Sequence, residues 1–216
     1  MDVVELFERG GPLMWAILMA SVVGAAFFVD RLLALRRNKV LSPEVVVSLL
    51  NHLDAGDRER AAQLCREDRS IIARIVEAGL SLDAVNRSTI KEVMEETGEV
   101  EVGALHSGVN VLSTVAAISP LLGLLGTVTG MIQVFRDVAD TVSPDISVLA
   151  GGIWQALITT GAGLTIAIPF YVAYRYVENR IESYSRELEE TSLRVLDRLA
   201  KQSADGKPST TTDEAR

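Results

Sequence analysis

The sequence predicts an all-α membrane protein with three transmembrane helices, two of them extended far into the cytoplasm. Three observations predict it. Nearly half the residues are hydrophobic, yet 23% are charged, so charge and apolarity must be segregated along the chain. Three windows hold no charge at all: Leu13 to Val29, Val102 to Phe135 and Ile146 to Tyr174. A membrane span needs roughly 20 apolar residues at about 1.5 Å each. The first window just suffices with its flanks, and the other two outrun a bilayer core about 30 Å thick. Finally, all Lys and Arg except Arg9 and Arg136 fall on one side of the three windows. Basic residues mark the cytoplasmic face, so the N-terminus is expected outside and the C-terminus inside.

Residues 1–11 read as a short external amphipathic segment, with Val3, Val4, Leu6 and Phe7 opposite Asp2, Glu5 and Glu8. Gly10, Gly11 and Pro12 break it. The first span, 12–35, follows an acidic rather than a basic start, which is the reverse of a secretory signal, so it reads as retained. It ends at Asp30 and Arg31, where the arginine can snorkel to the interface. Residues 36–106 form a polar cytoplasmic region of short helices. Ser42 is placed as an N-cap, Pro43 at the first helical position and Gly56 just past the end. From about Ser88 the helical pattern runs without a proline into the second span, 107–135, which predicts one unbroken helix. An external loop, 136–145, precedes the third span, 146–174. Ile181, Tyr184, Leu188, Val195 and Leu199 keep helical spacing beyond it, so a cytoplasmic helix is expected over 175–201. Residues 202–216 have the composition of a disordered tail.

The long spans are rich in small residues: Gly123, Gly126 and Gly130 in the second, Gly151, Gly152, Ala156, Gly161 and Gly163 in the third. Lipid supplies no hydrophobic force between helices, and small residues let backbones approach. Pro120 and Pro169 each free one backbone carbonyl, which neighbouring helices, hydroxyls or water must satisfy. Thr127 and Thr160 are candidates to face such a site. Packing outweighs pore lining for the glycines on composition alone. Gln155 is the most polar residue deep in a window, and it reads equally as an interhelical hydrogen bond or as a pore residue. Trp154 reads as an interfacial anchor.

Several function classes are excluded or disfavoured. No basic stripe suits nucleic acid, and the net charge is −8. No span offers a nucleophile–base pair or a metalloprotease motif, so no enzyme activity is expected. His52 and His106 are isolated from each other, and no metal or other cofactor is expected. Cys65, the single cysteine, excludes an intrachain disulfide and reads as a buried reduced thiol. No ionisable residue lies well inside a span, although such residues mark proton and ion pathways. If this chain moves protons, the titrating group belongs to another chain.

Two segments carry a family resemblance. "ISPLLGLLGTVTGMIQVF" (118–135) places Pro120, Gly123, Leu124, Gly126, Thr127, Val128, Gly130 and Met131 as in a P-x-x-G-L-x-G-T-V-x-G-M run. "GGIWQALITTGAGLTIAIPFYVAY" (151–174) matches a second pattern through Gly152, Ile153, Ala156, Leu157, Thr160, Gly163, Leu164, Ala167, Ile168 and Pro169. The chain resembles the MotA/TolQ/ExbB proton-channel subunits, most closely the three-span ExbB/TolQ branch. The resemblance implies a homopentamer in a bacterial inner membrane, with a periplasmic N-terminus and the second and third spans around a pore. Inside would sit the single span of an ExbD- or TolR-like partner carrying an aspartate. Proton flow would then energise a TonB-like protein for outer-membrane transport, or a TolA-like one for envelope maintenance.

On this resemblance Thr127 and Thr160 correspond to pore threonines, with Gln155 a further polar group on the proton path. Pro120, Gly123, Gly126, Gly130, Gly152, Ala156, Gly163 and Pro169 pack the helices around the pore. Asp30 and Arg31 hold the ring at its cytoplasmic edge. One departure stands out: where family members often have G-I-x-E-A-L, this chain has Gln155, which cannot exchange a proton at neutral pH. A non-conducting structural membrane scaffold is the reading from another class. A four-span flagellar stator subunit fits the span count poorly.

Overall fold

A computed structural model describes residues 7, 10–82, 86–139 and 146–205, with backbone alone at 148 and 202–205. Most of the external amphipathic segment, part of the external loop and the residues beyond 205 lie outside this description. The described residues form helices and no strand: α1 (Leu13–Ala34), α2 (Arg37–Val40), α3 (Pro43–Asp54), α4 (Arg58–Glu67), α5 (Ile71–Leu80), α6 (Arg87–His106), α7 (Val109–Ala139) and α8 (Ile146–Asp205). Three stretches are long and apolar enough to cross a membrane, two of them reaching 53 residues. The chain divides into two compact units, Met1–Leu33 with Ser107–Glu178, and Ala34–His106 with Asn179–Arg216.

The first unit holds α1, α7 and the apolar part of α8. Gly24 of α1 makes a notch for the ring of Phe170, which a Cβ there would meet at 2.6 Å. The other faces carry large apolar residues that are mostly exposed, among them Trp15, Leu121, Ile132 and Ile168. In water such a surface would be costly, whereas lipid or another chain accepts it.

The predicted unbroken helix from Ser88 into the second span does not form. Gly108 lies at φ +78°, a left-handed conformation that ends α6 before α7 begins. The ring of Phe27 fills the space beside it, 3.0 Å from where a Cβ would sit. Position 108 therefore demands glycine twice, for its backbone angle and for its neighbour.

The second unit packs short helices around a buried apolar core. α5 buries Ile71, Ile72, Ile75, Val76 and Leu80, because apolar residues recur on one face at helical spacing. Ser70 caps α5 by accepting from the Ala73 amide at 3.4 Å, and Asp57 caps α4 from the Arg60 amide at 3.1 Å. Arg58 closes the other end of α5, donating to the carbonyls of Leu80 and Leu82. Ser42 is the N-cap residue of α3, yet its hydroxyl makes no capping bond; Pro43 follows at the start of the helix, where its fixed φ suits the first turn.

The C-terminal stretch of α8 contributes Ile181, Tyr184, Leu188, Val195 and Leu199, all buried. Tyr184 donates its phenol to the Leu35 carbonyl at 3.1 Å. Arg180 donates to the Tyr184 phenol oxygen at 2.9 Å and stacks over the ring. Surface ion pairs join distant segments, Arg37 with Glu187 and Arg198 with Asp54. Exposed pairs of this kind contribute up to about 1 kcal/mol each, so the apolar core dominates.

Candidate functional site: the small-residue seam of α7 and α8

Two stripes with the same spacing meet within the first unit. On α7 the stripe is Ser119, Gly123, Gly126 and Gly130; on α8 it is Gly152, Ala156, Thr159 and Gly163. Each follows i, i+4, i+7, i+11, which keeps one face of a helix. The helices run antiparallel, so Ser119 meets Gly163, Gly123 meets Thr160, Gly126 meets Thr159, Gly130 meets Ala156, and Val134 meets Gly152. A Cβ on Gly163 would stand 2.5 Å from the Ser119 carbonyl oxygen, and one on Gly123 would stand 3.0 Å from Thr160 Cα. Those are backbone atoms that cannot swing aside. The glycines thus close the seam inside one chain, by backbone approach.

The hydroxyls in and beside the seam donate to carbonyls. Thr160 Oγ1 crosses from α8 to the Gly123 carbonyl at 3.0 Å. Thr127, one turn beyond Gly123 and half-buried, donates within its own helix to Leu124 at 2.7 Å. Ser119, fully buried, donates to Val115 at 2.7 Å. Pro120 and Pro169 both sit inside helices that continue past them. A threonine with its proton committed this way keeps oxygen lone pairs, so toward any further partner it is an acceptor.

Gln155 points elsewhere, to the turn at Gly10 and Gly11 before α1. Its side-chain amide is packed directly against Gly11, which has φ +76° and no room for a Cβ. Thr159 completes this arrangement. It is 1% exposed, fills the notch at Gly126, and donates to both the Gln155 carbonyl (2.9 Å) and the Gly10 carbonyl (3.0 Å). Sequence reasoning favoured Thr160 over Thr159. The signal for Thr159 was present in the stripe spacing, since 159 continues Gly152 and Ala156 toward Gly163 whereas 160 falls beside it. Close by, Phe7 meets Trp15 edge to face with ring centroids 4.9 Å apart. Trp154 is 45% exposed at the same end.

Asp30 and Arg31 pair with each other at 2.6 Å, the carboxylate exposed and the guanidinium largely covered. Arg31 also lies beside Gly108. The structure thus gathers Gly123, Gly126, Gly130, Gly152, Ala156, Gly163 and Thr160 in one seam, leaves Thr127 at its edge, and puts Gln155 and the Asp30–Arg31 pair outside it. Among the described residues no cluster of three metal-ligating side chains forms.

Residues 67–190 match the family model described as the MotA/TolQ/ExbB proton channel family. The match includes both stripes. The chain is 31% identical to the biopolymer transport protein ExbB of Salmonella typhimurium over 194 residues, covering 85% of this chain and 78% of that one. It is 29% identical over 188 residues to a putative biopolymer transport protein ExbB homolog of Methanothermobacter thermautotrophicus, covering 87% and 67%. A shorter match, 36% over 87 residues, covers 40% of this chain and 38% of the Tol-Pal system protein TolQ of Haemophilus influenzae. Three helices long and apolar enough to cross a membrane, two of them joined by a charge-free seam, define a polytopic membrane protein. The chain belongs to the MotA/TolQ/ExbB proton channel family.

Proposed function

We propose that this chain is the ExbB-like subunit of a proton-driven complex in a bacterial inner membrane. The carrying observation is the hydroxyl-bearing seam, which lies in two apolar helices with no Asp, Glu, Lys, Arg or His between Val109 and Phe135 or between Ile146 and Tyr174. A channel wall of this kind needs a proton carrier from outside, so an ExbD-like single span with an aspartate completes it. The N-terminus faces the periplasm and the second unit the cytoplasm, as the distribution of Lys and Arg requires. Copies of the chain, five in the arrangement the family resemblance implies, surround the partner span through their exposed apolar faces. The output is work on a TonB-like protein. A TolA-like output is the second reading; the ExbB match, which runs over most of the chain while the TolQ match spans 87 residues, favours the first.

The threonines give this reading a mechanism. Thr160 and Thr127 donate their protons to Gly123 and Leu124. What they still offer is lone pairs. A protonated carboxyl has an O–H to give them, and a carboxylate has none. A neutral hydrogen bond of this kind is worth about 1 kcal/mol. The wall therefore favours the partner's aspartate in its protonated form, and the low-dielectric surroundings penalise the bare charge in the same direction. Gln155, packed against Gly11, holds the external turn and takes no proton.

The test is native mass spectrometry of the chain alone and with its single-span partner, followed by proton-driven uptake in Thr160→Val, Thr127→Val and the corresponding Ser variants. The reading expects a ring that captures partner chains, loss of uptake with Val, and retention with Ser. A chain that forms no ring, or rings in which Val at both positions leaves uptake unchanged, would put the structural scaffold ahead.

A further inference from the structure

The second unit contains a groove of about 490 Å³ that the seam does not explain. α6 forms one wall and the 185–196 stretch of α8 the other. Its floor is apolar, from Ile75, Met94, Leu188 and Leu196. Two glycines of α6 widen it: a Cβ on Gly103 would meet nothing within 4 Å, and one on Gly98 only the tip of Ile75 at 3.7 Å. Ser192 lines the groove, and its hydroxyl is buried without a hydrogen-bond partner.

The charge at the rim is one-sided. Lys91 is paired with Glu95 at 3.0 Å. Glu99 on α6 and Glu189 on α8 then face each other's walls with no ion pair among the described residues. The remaining rim group, His106, turns its Nδ1 to the Val102 carbonyl at 3.1 Å. An anionic lipid headgroup is repelled by such a rim, and a basic apolar segment suits it. Position also matters. His106, at one end of the groove, is followed within three residues by α7, whose apolar run enters the bilayer. A single-span protein with a cytoplasmic N-terminus carries Lys and Arg at that depth, immediately before its span.

We propose that this groove receives the basic amphipathic segment that precedes the partner's transmembrane span, with its cations on Glu99 and Glu189 and its apolar side chains over Met94 and Leu188. The inference rests on the channel reading above, and it adds a second, cytoplasmic grip on the same partner. The acidic rim sets register and encounter more than raw affinity, so the attachment is sensitive to salt.

The experiment is site-specific crosslinking in membranes that co-express the chain and its single-span partner. Leu193→Cys, at an exposed position of the groove lining, carries a photoactivatable reagent; Cys65 is buried and its thiol is pushed up to about 12, so it stays unlabelled. The expected adduct maps to the Lys- and Arg-rich stretch just before the partner's span, and E99Q with E189Q lowers its yield about tenfold at low salt. A partner that co-purifies but crosslinks elsewhere, or a yield unmoved by the Gln pair, overturns this inference and leaves the channel reading intact. An adduct to a second copy of the chain also overturns it. Failure of any single-span protein to co-purify overturns both.

Discussion

The Thr159 hydroxyl donates to the carbonyl of Gly10, 149 positions away in the chain, and through this bond the turn before α1 is fastened to α8. The same side chain occupies the notch opposite Gly126. One buried threonine therefore joins three segments: the turn before α1, the stripe of α7 and the stripe of α8.

Removing that hydroxyl should release the turn while leaving the helices packed. Thr159→Val keeps the shape and strands the Gly10 carbonyl, at a cost of about 1–3 kcal/mol. Amide exchange at Gly11 to Met14 should accelerate in Val and stay near the parent rate in Thr159→Ser. Equal exchange in all three would show that the bond does not hold the turn.

Two glycines of α8, two residues apart, should respond oppositely to alanine. At Gly163 a methyl group collides with the Ser119 carbonyl, so the seam must open and thermal stability in detergent should fall by about 2 kcal/mol or more. At Gly161 nothing lies within 4 Å, and alanine should stabilise the helix by about 0.5–1 kcal/mol. Melting curves of the two single variants decide it, and a destabilised Gly161→Ala would mean that this face is occupied in the assembled protein.

In the second unit, Tyr184→Phe deletes the donor to Leu35 and the acceptor for Arg180 while keeping the ring. The expected loss is about 1 kcal/mol in urea unfolding, with an unchanged dependence on denaturant. A loss above about 3 kcal/mol would point to a repacked core instead.

Cys65 makes stability depend on alkaline pH. Burial, with Glu77 and Asp68 adding to it, raises its thiol from 9.0 to about 12. The unfolded thiol ionises first, so above pH 9 the unfolded chain holds fewer protons and stability falls as pH rises toward 12. Cys65→Ala should flatten that slope between pH 9 and 11, at the expense of a small cavity. A maleimide should react with the parent protein only as fast as it opens. An unaltered alkaline slope in the alanine variant would assign the pH dependence to other groups.

The sequence showed the helical class, the three spans and the small residues that pack, because charge segregation and glycine spacing are local properties of a chain. What it did not show depends on contacts between distant segments. The stripe spacing identified a face but not its partner, and the two faces turned out to meet each other. Thr160 and Thr159 differ by one position, hence by about 100° around the helix, and only the antiparallel register tells which notch each one fills. Gly108 lacked the proline expected of a break, and its left-handed angle becomes necessary once Phe27 packs beside it. The groove beside Ser192 joins two segments about 90 positions apart in sequence, which no local pattern anticipates.

Because the glycines close on glycines of the same chain, α7 and α8 form a single double-width stave before any neighbour arrives. In the assembly proposed above, neighbouring copies would then meet outer apolar surfaces, such as those of Leu121, Leu124 and Leu125 on one helix and Leu157 and Leu164 on the other. Genetic lesions should sort accordingly. Substitutions at glycines of the seam would be lost to degradation as misfolded single chains, while substitutions at those leucines would leave intact chains that fail to join, and the two classes would not rescue one another when co-expressed.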